Sequence, residues 1–282
     1  ALICMYVKVG SLSKATETLK NIAIQNVVSW NTLIYGCAEG GYGEEALRCF
    51  KQMEQEGYLP NVVTLVSALK ACSSIGAIHE GQKMHMEIEK VGLLDDNQDV
   101  GTTLVDMYVK CGLLLTALKV FDKLTVCSVV PWTAIISGYV KYGYDMEALK
   151  LYQKMQVERI SPNTVTYIFV LRACSRTGAV QKGQQIHINI EIRGLLETDM
   201  AIGNSLVGMY ANLGCFNIAQ HVFDKLQVRD EVSWATLISG FVEHGYADMG
   251  LIYFKKMQIE GVAPNAVTFI YGLKACGLIG AL

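Results

Sequence analysis

The chain has 282 residues, of which 51% are hydrophobic and 18% are charged, and its formal net charge is −2. No stretch stays apolar for the eighteen or more residues of a membrane-spanning helix, so we expect no membrane-embedded segment. The sequence pI of about 6.2 excludes the strongly basic class of nucleic-acid binders that rely mainly on phosphate contacts.

The nine cysteines are an odd number and form no C-x-x-C pair. Several lie inside apolar helical patterns, which favours buried free thiols in a reducing compartment over disulfides. We therefore expect no metal site and no cofactor. No targeting segment is visible, and the chain opens and stops in mid-pattern, so the sequence is expected to be a fragment.

The whole chain repeats with a period of 102 residues. The positions that keep this step are Trp30, Trp132 and Trp234; Pro60, Pro162 and Pro264; Cys72, Cys174 and Cys276; His85 and His187; Tyr108 and Tyr210; Phe121 and Phe223. Each block divides again into units of 35, 36 and 31 residues. The predicted organisation is a single array over 1–282, with units 1–26 (partial, 31-type), 27–61, 62–97, 98–128, 129–163, 164–199, 200–230, 231–265 and 266–282 (partial, 36-type).

Each unit is predicted to form two helices, as unit 27–61 illustrates. Helix A opens at Trp30, and the glycine-rich run 40–43 breaks it because glycine tolerates tight-turn backbone angles. Helix B follows over Glu44–Met53 with one apolar face, and Gly57 ends it. A lone hairpin cannot bury its apolar face, so the fold class predicted is all-α, a right-handed superhelical α-solenoid of helix-turn-helix repeats.

Three segments carry a family resemblance: VVSWNTLI (27–34), LKAC (69–72) and LVDMYVKCG (104–112). They resemble plant pentatricopeptide repeat proteins, and the 35/36/31 alternation resembles their PLS subclass. The resemblance implies sequence-specific binding of single-stranded RNA in mitochondria or chloroplasts, commonly to choose sites of C-to-U editing. It also implies that each repeat addresses one base, with the RNA 5′ end toward the protein N-terminus.

In the family, the fifth residue of helix A and the last residue of the unit select the base. In the 35- and 31-type units these pairs are Asn31/Asn61, Thr102/Ser128, Thr133/Asn163, Asn204/Asp230 and Ala235/Asn265. By resemblance the first four favour, in order, a pyrimidine, a purine, adenine and uracil. Ala235 has no polar group, so its unit has no assigned preference. The 36-type units carry Val66/Asn97 and Ile168/Asp199, and an apolar fifth residue reads no base edge.

The second residue of each unit is expected to pack against a base. These positions are Val28, Val63, Val130, Val165, Val232 and Val267, whereas Asp99 and Ala201 depart from the apolar pattern. Late in helix A, four basic residues at equivalent places are candidates for phosphate contacts: Lys8, Lys110, Lys141 and Arg176. Acidic or neutral residues fill the same place elsewhere, so the basic stripe is patchy.

Simpler structural roles stand beside these assignments. The asparagines after proline also suit N-caps and turns, and the three tryptophans suit an inter-helix core. His85-Met86-Glu87 matches the start of a zinc-deaminase signature. Its partner motif is missing, so we expect helix packing there. The run 40–43 is a turn and not a phosphate loop.

The sequence supports no enzymatic activity and no catalytic residue. A deaminase acting on the same RNA would lie outside these residues or act in trans. Single-stranded RNA is the expected partner, together with editing cofactor proteins, and uncapped terminal repeats favour self-association. The alternative is a protein-protein interaction scaffold, as many helical-hairpin solenoids are.

Overall fold

The computed structural model describes residues 2–21, 25–124 and 128–280. Every regular element in these ranges is an α-helix. The helices are α1 Leu2–Lys8, α2 Leu12–Lys20, α3 Val27–Glu39, α4 Gly43–Gln55, α5 Val62–Ile75, α6 Ile78–Val91, α7 Leu93–Asp96, α8 Gln98–Lys110, α9 Leu114–Lys123, α10 Val129–Lys141, α11 Asp145–Val157, α12 Thr164–Thr177, α13 Val180–Ile192, α14 Leu195–Thr198, α15 Met200–Asn212, α16 Phe216–Lys225, α17 Glu231–Glu243, α18 Ala247–Ile259 and α19 Ala266–Ile279. None of the helices described is both long and apolar enough to cross a bilayer.

The chain divides into two compact units, residues 1–138 and 139–282, with the division inside α10. In the first unit α1, α3, α5 and α8 pack side by side, and α2, α4 and α9 each pair with the helix before them. In the second unit α12, α15, α17 and α19 form the corresponding row. Each unit thus has one layer of A helices backed by B helices, which is the α-solenoid arrangement.

The three repeat lengths have a structural origin. The 35-residue unit 27–61 holds two helices of 13 residues. The 36-residue unit adds the four-residue helix α7, which follows Gly92 in the left-handed conformation at φ +72°. The 31-residue unit has a shorter B helix, α9, of 10 residues. Helices α14 and α16 repeat these differences one block later.

Helix A begins earlier than its apolar pattern indicates. We expected α3 to open at Trp30, whereas it begins at Val27 with Asn26 as its N-cap. The Asn26 and Ser29 side chains form a capping box, which satisfies amide groups that the helix itself leaves unpaired. Gly41, at φ +81°, provides the turn predicted between helices A and B.

The repeated tryptophans belong to the core, as expected. Trp30, Trp132 and Trp234 are at most 2% exposed. In the first unit Phe121 meets Trp132 edge to face with ring centroids 4.6 Å apart, and in the second unit Phe223 meets Trp234 at 4.8 Å. Such pairs add about 1 kcal/mol beyond the burial of their surface. These indoles are therefore closed to base stacking.

The cysteines and the His-x-Glu motif also have structural roles. Cys37, Cys49, Cys72 and Cys174 are buried free thiols, and burial raises the pKa of Cys72 to about 12. His85 lies in α6, where its Nδ1 is 2.9 Å from the Tyr108 hydroxyl. It packs in the helix layer, as the sequence predicted.

Candidate nucleic-acid interface

The last residue of most repeat units caps the next A helix. Asn61, Asn163, Asp230 and Asn265 each accept a hydrogen bond through Oδ1 from the backbone N–H three residues later, at 2.8–3.1 Å. Such a cap contributes about 1 kcal/mol to helix stability. The N-cap role considered for these residues is therefore real. The cap itself uses only Oδ1 of each side chain and does not engage Nδ2 of an asparagine or Oδ2 of an aspartate.

In the first compact unit, packing of α3 against α5 brings together the fifth and last residues of the repeat unit 27–61. Asn31 Nδ2 donates to Asn61 Oδ1 at 3.0 Å. Thr64 completes the cluster, since its hydroxyl lies 2.5 Å from Asn31 Oδ1 and 3.0 Å from Asn61 Oδ1. Asn31 is one of the few buried polar residues of the described chain. The two amides predicted to read one base are therefore adjacent and mutually oriented.

The second compact unit has the same arrangement in its repeat unit 200–230, at Asn204 and Asp230. Asn204 Nδ2 donates to Asp230 Oδ1 at 3.3 Å, because α15 packs beside α17. Burial alone would raise the pKa of Asp230, but hydrogen bonds from Ser233 and Asn204 outweigh it and hold the pKa below its ordinary value. Asp230 is therefore a carboxylate at neutral pH, and its Oδ2 is a hydrogen-bond acceptor.

The residues of the other predicted pairs differ in burial and in hydrogen bonding. Thr102 is half-buried, Ser128 is exposed, and the described residues show no hydrogen bond between them. Thr133 lies in the first unit, where its hydroxyl donates to the Val129 carbonyl at 2.8 Å. Asn163 lies in the second unit, where it caps α12. Ala235 is buried and leaves Asn265 without a polar neighbour from the fifth position.

The 36-type units use their last residues differently. Asn97 Oδ1 accepts from the backbone N–H of Asp99 and of Val100 at 3.1 and 3.3 Å. Both oxygens of Asp199 are engaged, Oδ1 by Ala201 N at 3.0 Å and Oδ2 by the Thr164 hydroxyl at 2.6 Å. Each carboxylate oxygen of Asp199 thus already accepts one hydrogen bond within the protein, which reduces its capacity for a base edge.

The valines predicted to pack against bases are all exposed. They are Val28, Val63, Val130, Val165, Val232 and Val267, with exposures of 46–68%. Each precedes the fifth residue of its unit by three positions, so the two side chains share a face of the same helix. Covering such an exposed valine with the apolar face of a base would remove apolar surface from water. Asp99 and Ala201, which break the apolar pattern, are also exposed.

The four basic candidates differ in their surroundings. Lys8 and Lys141 are exposed, and the ammonium of Lys141 lies 5.8 Å from the centroid of the Phe169 ring. Lys110 forms an ion pair with Asp106 at 2.8 Å within α8. The Arg176 guanidinium donates to the Val140 carbonyl and to Asp145 Oδ1, the latter at 2.6 Å. Arg176 is thus tied into the fold by two contacts.

Some residues of the site were not predicted. Thr64 and Ser233 are completely buried at the third position of their units, beside the reading pairs. The sequence does carry a signal for them, namely a serine or threonine three residues after the capping asparagine or aspartate. The Arg176–Asp145 pair has no such local signal, because its partners are 31 residues apart.

Comparison with known proteins gives consistent matches along the chain. The model of the PPR repeat family matches residues 25–74 and 127–176, and that of the PPR repeat matches residues 102–129 and 232–262. A chloroplastic pentatricopeptide repeat-containing protein of Arabidopsis thaliana is 35% identical over 276 residues, covering 98% of this chain and 44% of that protein. A mitochondrial one from the same plant is 36% identical over 282 residues, covering 100% and 40%.

Among solved structures, the pentatricopeptide repeat protein PPR10, crystallised in complex with an 18-nt PSAJ RNA element, superposes with a TM-score of 0.75. Its sequence identity is 18%, and the match covers 100% of this chain and 43% of that one, which establishes a shared α-solenoid fold. The chain spans less than half the length of these curated relatives. The repeat matches together extend over more than half of the sequence. The chain therefore belongs to the pentatricopeptide repeat family and resembles its plant members.

Proposed function

We propose that this chain binds single-stranded RNA in a sequence-specific manner, with one base per repeat, and that the base is selected by 35- and 31-type units with a polar fifth residue. The observation that carries the proposal is the hydrogen-bonded pairing of fifth and last residues, Asn31 with Asn61 and Asn204 with Asp230. Each pair stands beside an A-helix surface, which carries an exposed valine in the 35-type units. A polar pair next to an apolar surface suits a base, which has a polar edge and an apolar face.

The capping geometry supports a particular base at each pair. With Oδ1 of Asp230 used by the cap, the remaining Oδ2 accepts a hydrogen bond, as from N3–H of uracil. With Oδ1 of Asn61 used in the same way, the remaining Nδ2 donates, as to a ring-nitrogen acceptor. For Thr133 with Asn163, the preference for adenine is carried over from the family resemblance.

The 36-type units are proposed to act as spacers. Their fifth residues Val66 and Ile168 offer no hydrogen bond, and each carboxylate oxygen of Asp199 already accepts one hydrogen bond within the protein. The resulting 5′-to-3′ register over units 27–61 to 231–265 is pyrimidine, any base, purine, A, any base, U, any base. We assign the chain to the PLS subclass on its 35/36/31 alternation of repeat lengths, and this uneven spacing of readers agrees with that assignment.

The cellular role follows from the same features. We assign the chain to the specificity array of an organellar RNA-editing or RNA-processing factor, without catalytic residues of its own. Support comes from the relatives, whose names place them in chloroplasts or mitochondria. Editing cofactor proteins and self-association through terminal repeats remain part of this proposal. Lys8 and Lys141 are the best placed residues for phosphate contacts, since Lys110 and Arg176 already have acidic partners.

The test is selection from a random single-stranded RNA pool. We expect enrichment of the register given above, and loss of the adenine when Thr133→Ala and Asn163→Ala are combined. A matched control is Ile168→Ala in the neighbouring 36-type unit, which should leave the enriched sequence unchanged. Recovery of no motif, or the same motif from the double variant, would refute base reading. Binding that ignores both RNA sequence and salt would favour a protein-interaction scaffold.

A further inference from the structure

A buried hydroxyl lies between the two reading side chains of unit 27–61. Thr64, the third residue of the next unit, accepts a hydrogen bond from the backbone N–H of Asn61 at 3.1 Å. Its own proton has two acceptors within reach, Asn31 Oδ1 at 2.5 Å and Asn61 Oδ1 at 3.0 Å. Asn61 Oδ1 already receives the Thr64 backbone N–H and the Asn31 amide. The Thr64 proton therefore goes to Asn31.

The equivalent hydroxyl in the second compact unit, that of Ser233, donates to a different acceptor. Ser233 donates to Asp230 Oδ1 at 2.7 Å, and its backbone N–H donates to the same oxygen at 2.8 Å. Asn204 Oδ1 is buried and has no hydrogen-bond partner among the described residues. The amide of Asn204 is thus held at its nitrogen only, whereas the amide of Asn31 is held at both ends.

The charge of the last residue explains this difference. A carboxylate is a stronger acceptor than an amide oxygen, so it attracts the hydroxyl proton of the third residue. When the last residue is the neutral Asn61, the proton turns to the fifth residue instead. The charge of the last residue therefore decides whether the fifth residue receives a hydrogen bond from the third-position hydroxyl.

We propose that Thr64 is a positioning residue that sets the hydrogen-bonding character of the Asn31/Asn61 pair. By holding Asn31 Oδ1 within the protein, it fixes the amide so that the pair presents its N–H donors to a base, and these donors select cytosine over uracil among the pyrimidines. In unit 200–230, the Ser233 hydroxyl is taken by Asp230 Oδ1 and Asn204 Oδ1 stays buried without a partner among the described residues, so the acceptor that selects uracil is Asp230 Oδ2. This inference rests on the proposed function and adds a third determinant to each reading pair.

The experiment compares binding to RNAs that carry C or U opposite unit 27–61. Thr64→Val removes the hydroxyl while preserving shape, and we expect the C-over-U ratio to fall roughly 3- to 10-fold, the worth of one hydrogen bond. Thr64→Ser keeps the hydroxyl and should restore the ratio. The matched control is Ser29→Ala, which removes the corresponding capping box at Asn26. The Ser29 side chain has no hydrogen bond to Asn31 or Asn61 among the described residues. It should lower the Tm and leave the ratio unchanged.

The outcomes separate the inference from the function on which it rests. If the unchanged protein shows no preference at any position, the proposed function fails and the inference falls with it. If the unchanged protein discriminates and Thr64→Val keeps the same ratio, only the inference is overturned, and Thr64 is a structural cap.

A second pair of variants applies if Thr64→Val does not fold. Asp230→Asn should release the Ser233 proton to Asn204 and shift the preference at that unit from U to C. Adding Ser233→Ala to Asp230→Asn should remove the new preference. An unaltered preference for C in the double variant would overturn the inference.

Discussion

Arg176 lies where a phosphate contact was predicted, yet its two contacts make it part of the fold. Its guanidinium donates to the Val140 carbonyl at the end of α10 and pairs with Asp145 at the start of α11. The side chain of Asp145 is 10% exposed and that of Arg176 is 43% exposed. Arg176→Met keeps the aliphatic stem but leaves this carboxylate buried without its cation.

The magnitude follows from these exposures. Losing one partner of a fully buried pair costs about 3–5 kcal/mol, whereas an exposed pair contributes below about 1 kcal/mol. With one partner buried and the other half-exposed, we expect a loss of about 2 kcal/mol and a fall in Tm of roughly 4–8 °C. The slope of RNA affinity against salt should not change, because no phosphate contact is removed.

Thermal unfolding followed by circular dichroism measures the fall in Tm. The Asp145→Ala variant and the double variant then complete a double-mutant cycle. We expect a coupling free energy above about 1 kcal/mol between Arg176 and Asp145. The reasoning is refuted if Arg176→Met leaves the Tm unchanged and instead lowers the salt slope by about 0.7, the value for one phosphate contact on a single strand.

Three further predictions concern other parts of the molecule. Asp230→Asn should move the preference of unit 200–230 from uracil to cytosine, as measured by competition between two RNAs differing at that base; an unchanged preference would contradict the acceptor role of Asp230. Lys141→Ala should reduce the salt slope by about 0.7 with no change in Tm, and a lower Tm with an unchanged slope would instead assign Lys141 to the fold. Burial lowers the pKa of His85 and of His187 below that of the unfolded chain, so the unfolded state takes up protons first and the free energy of unfolding falls from pH 7 to 5.5. Denaturant titrations should show a flatter pH profile for His85→Asn combined with His187→Asn, and identical profiles would refute the linkage.

The repeat pattern was sufficient to predict the helical hairpins of the fold. Glycine turns and the 3.6-residue periodicity are local signals, and they gave the hairpin of α3 and α4 with its turn at Gly41. The burial of Trp30 also followed from its repetition, because an apolar residue recurring at one place in every block marks a shared core. The start of α3 was misplaced by three residues, since Val27 is helical through the Asn26 cap and not through its own apolar contact.

The candidate site could be predicted only in part from the sequence. The positions of Asn31 and Asn61 came from family resemblance, but their direct hydrogen bond depends on the packing of α3 against α5. A local pattern marks Thr64 as a capping residue, but its bond to Asn31 and the bond of Arg176 to Asp145 join residues about 30 positions apart, and no local pattern reveals them. What the sequence lacked was the set of contacts between neighbouring repeats, which decides which polar atoms remain available.

The most direct test of base reading is a single-substitution scan of an RNA carrying the proposed register. Affinity is measured by fluorescence anisotropy for all four bases at each position opposite units 27–61 to 231–265. We predict discrimination at the first, third, fourth and sixth positions, with uracil preferred opposite Asn204 and Asp230, and near-equal affinities opposite the units of Val66 and Ile168. Equal affinities at all positions, or discrimination confined to the 36-type units, would contradict the assignment of these side-chain pairs as base readers.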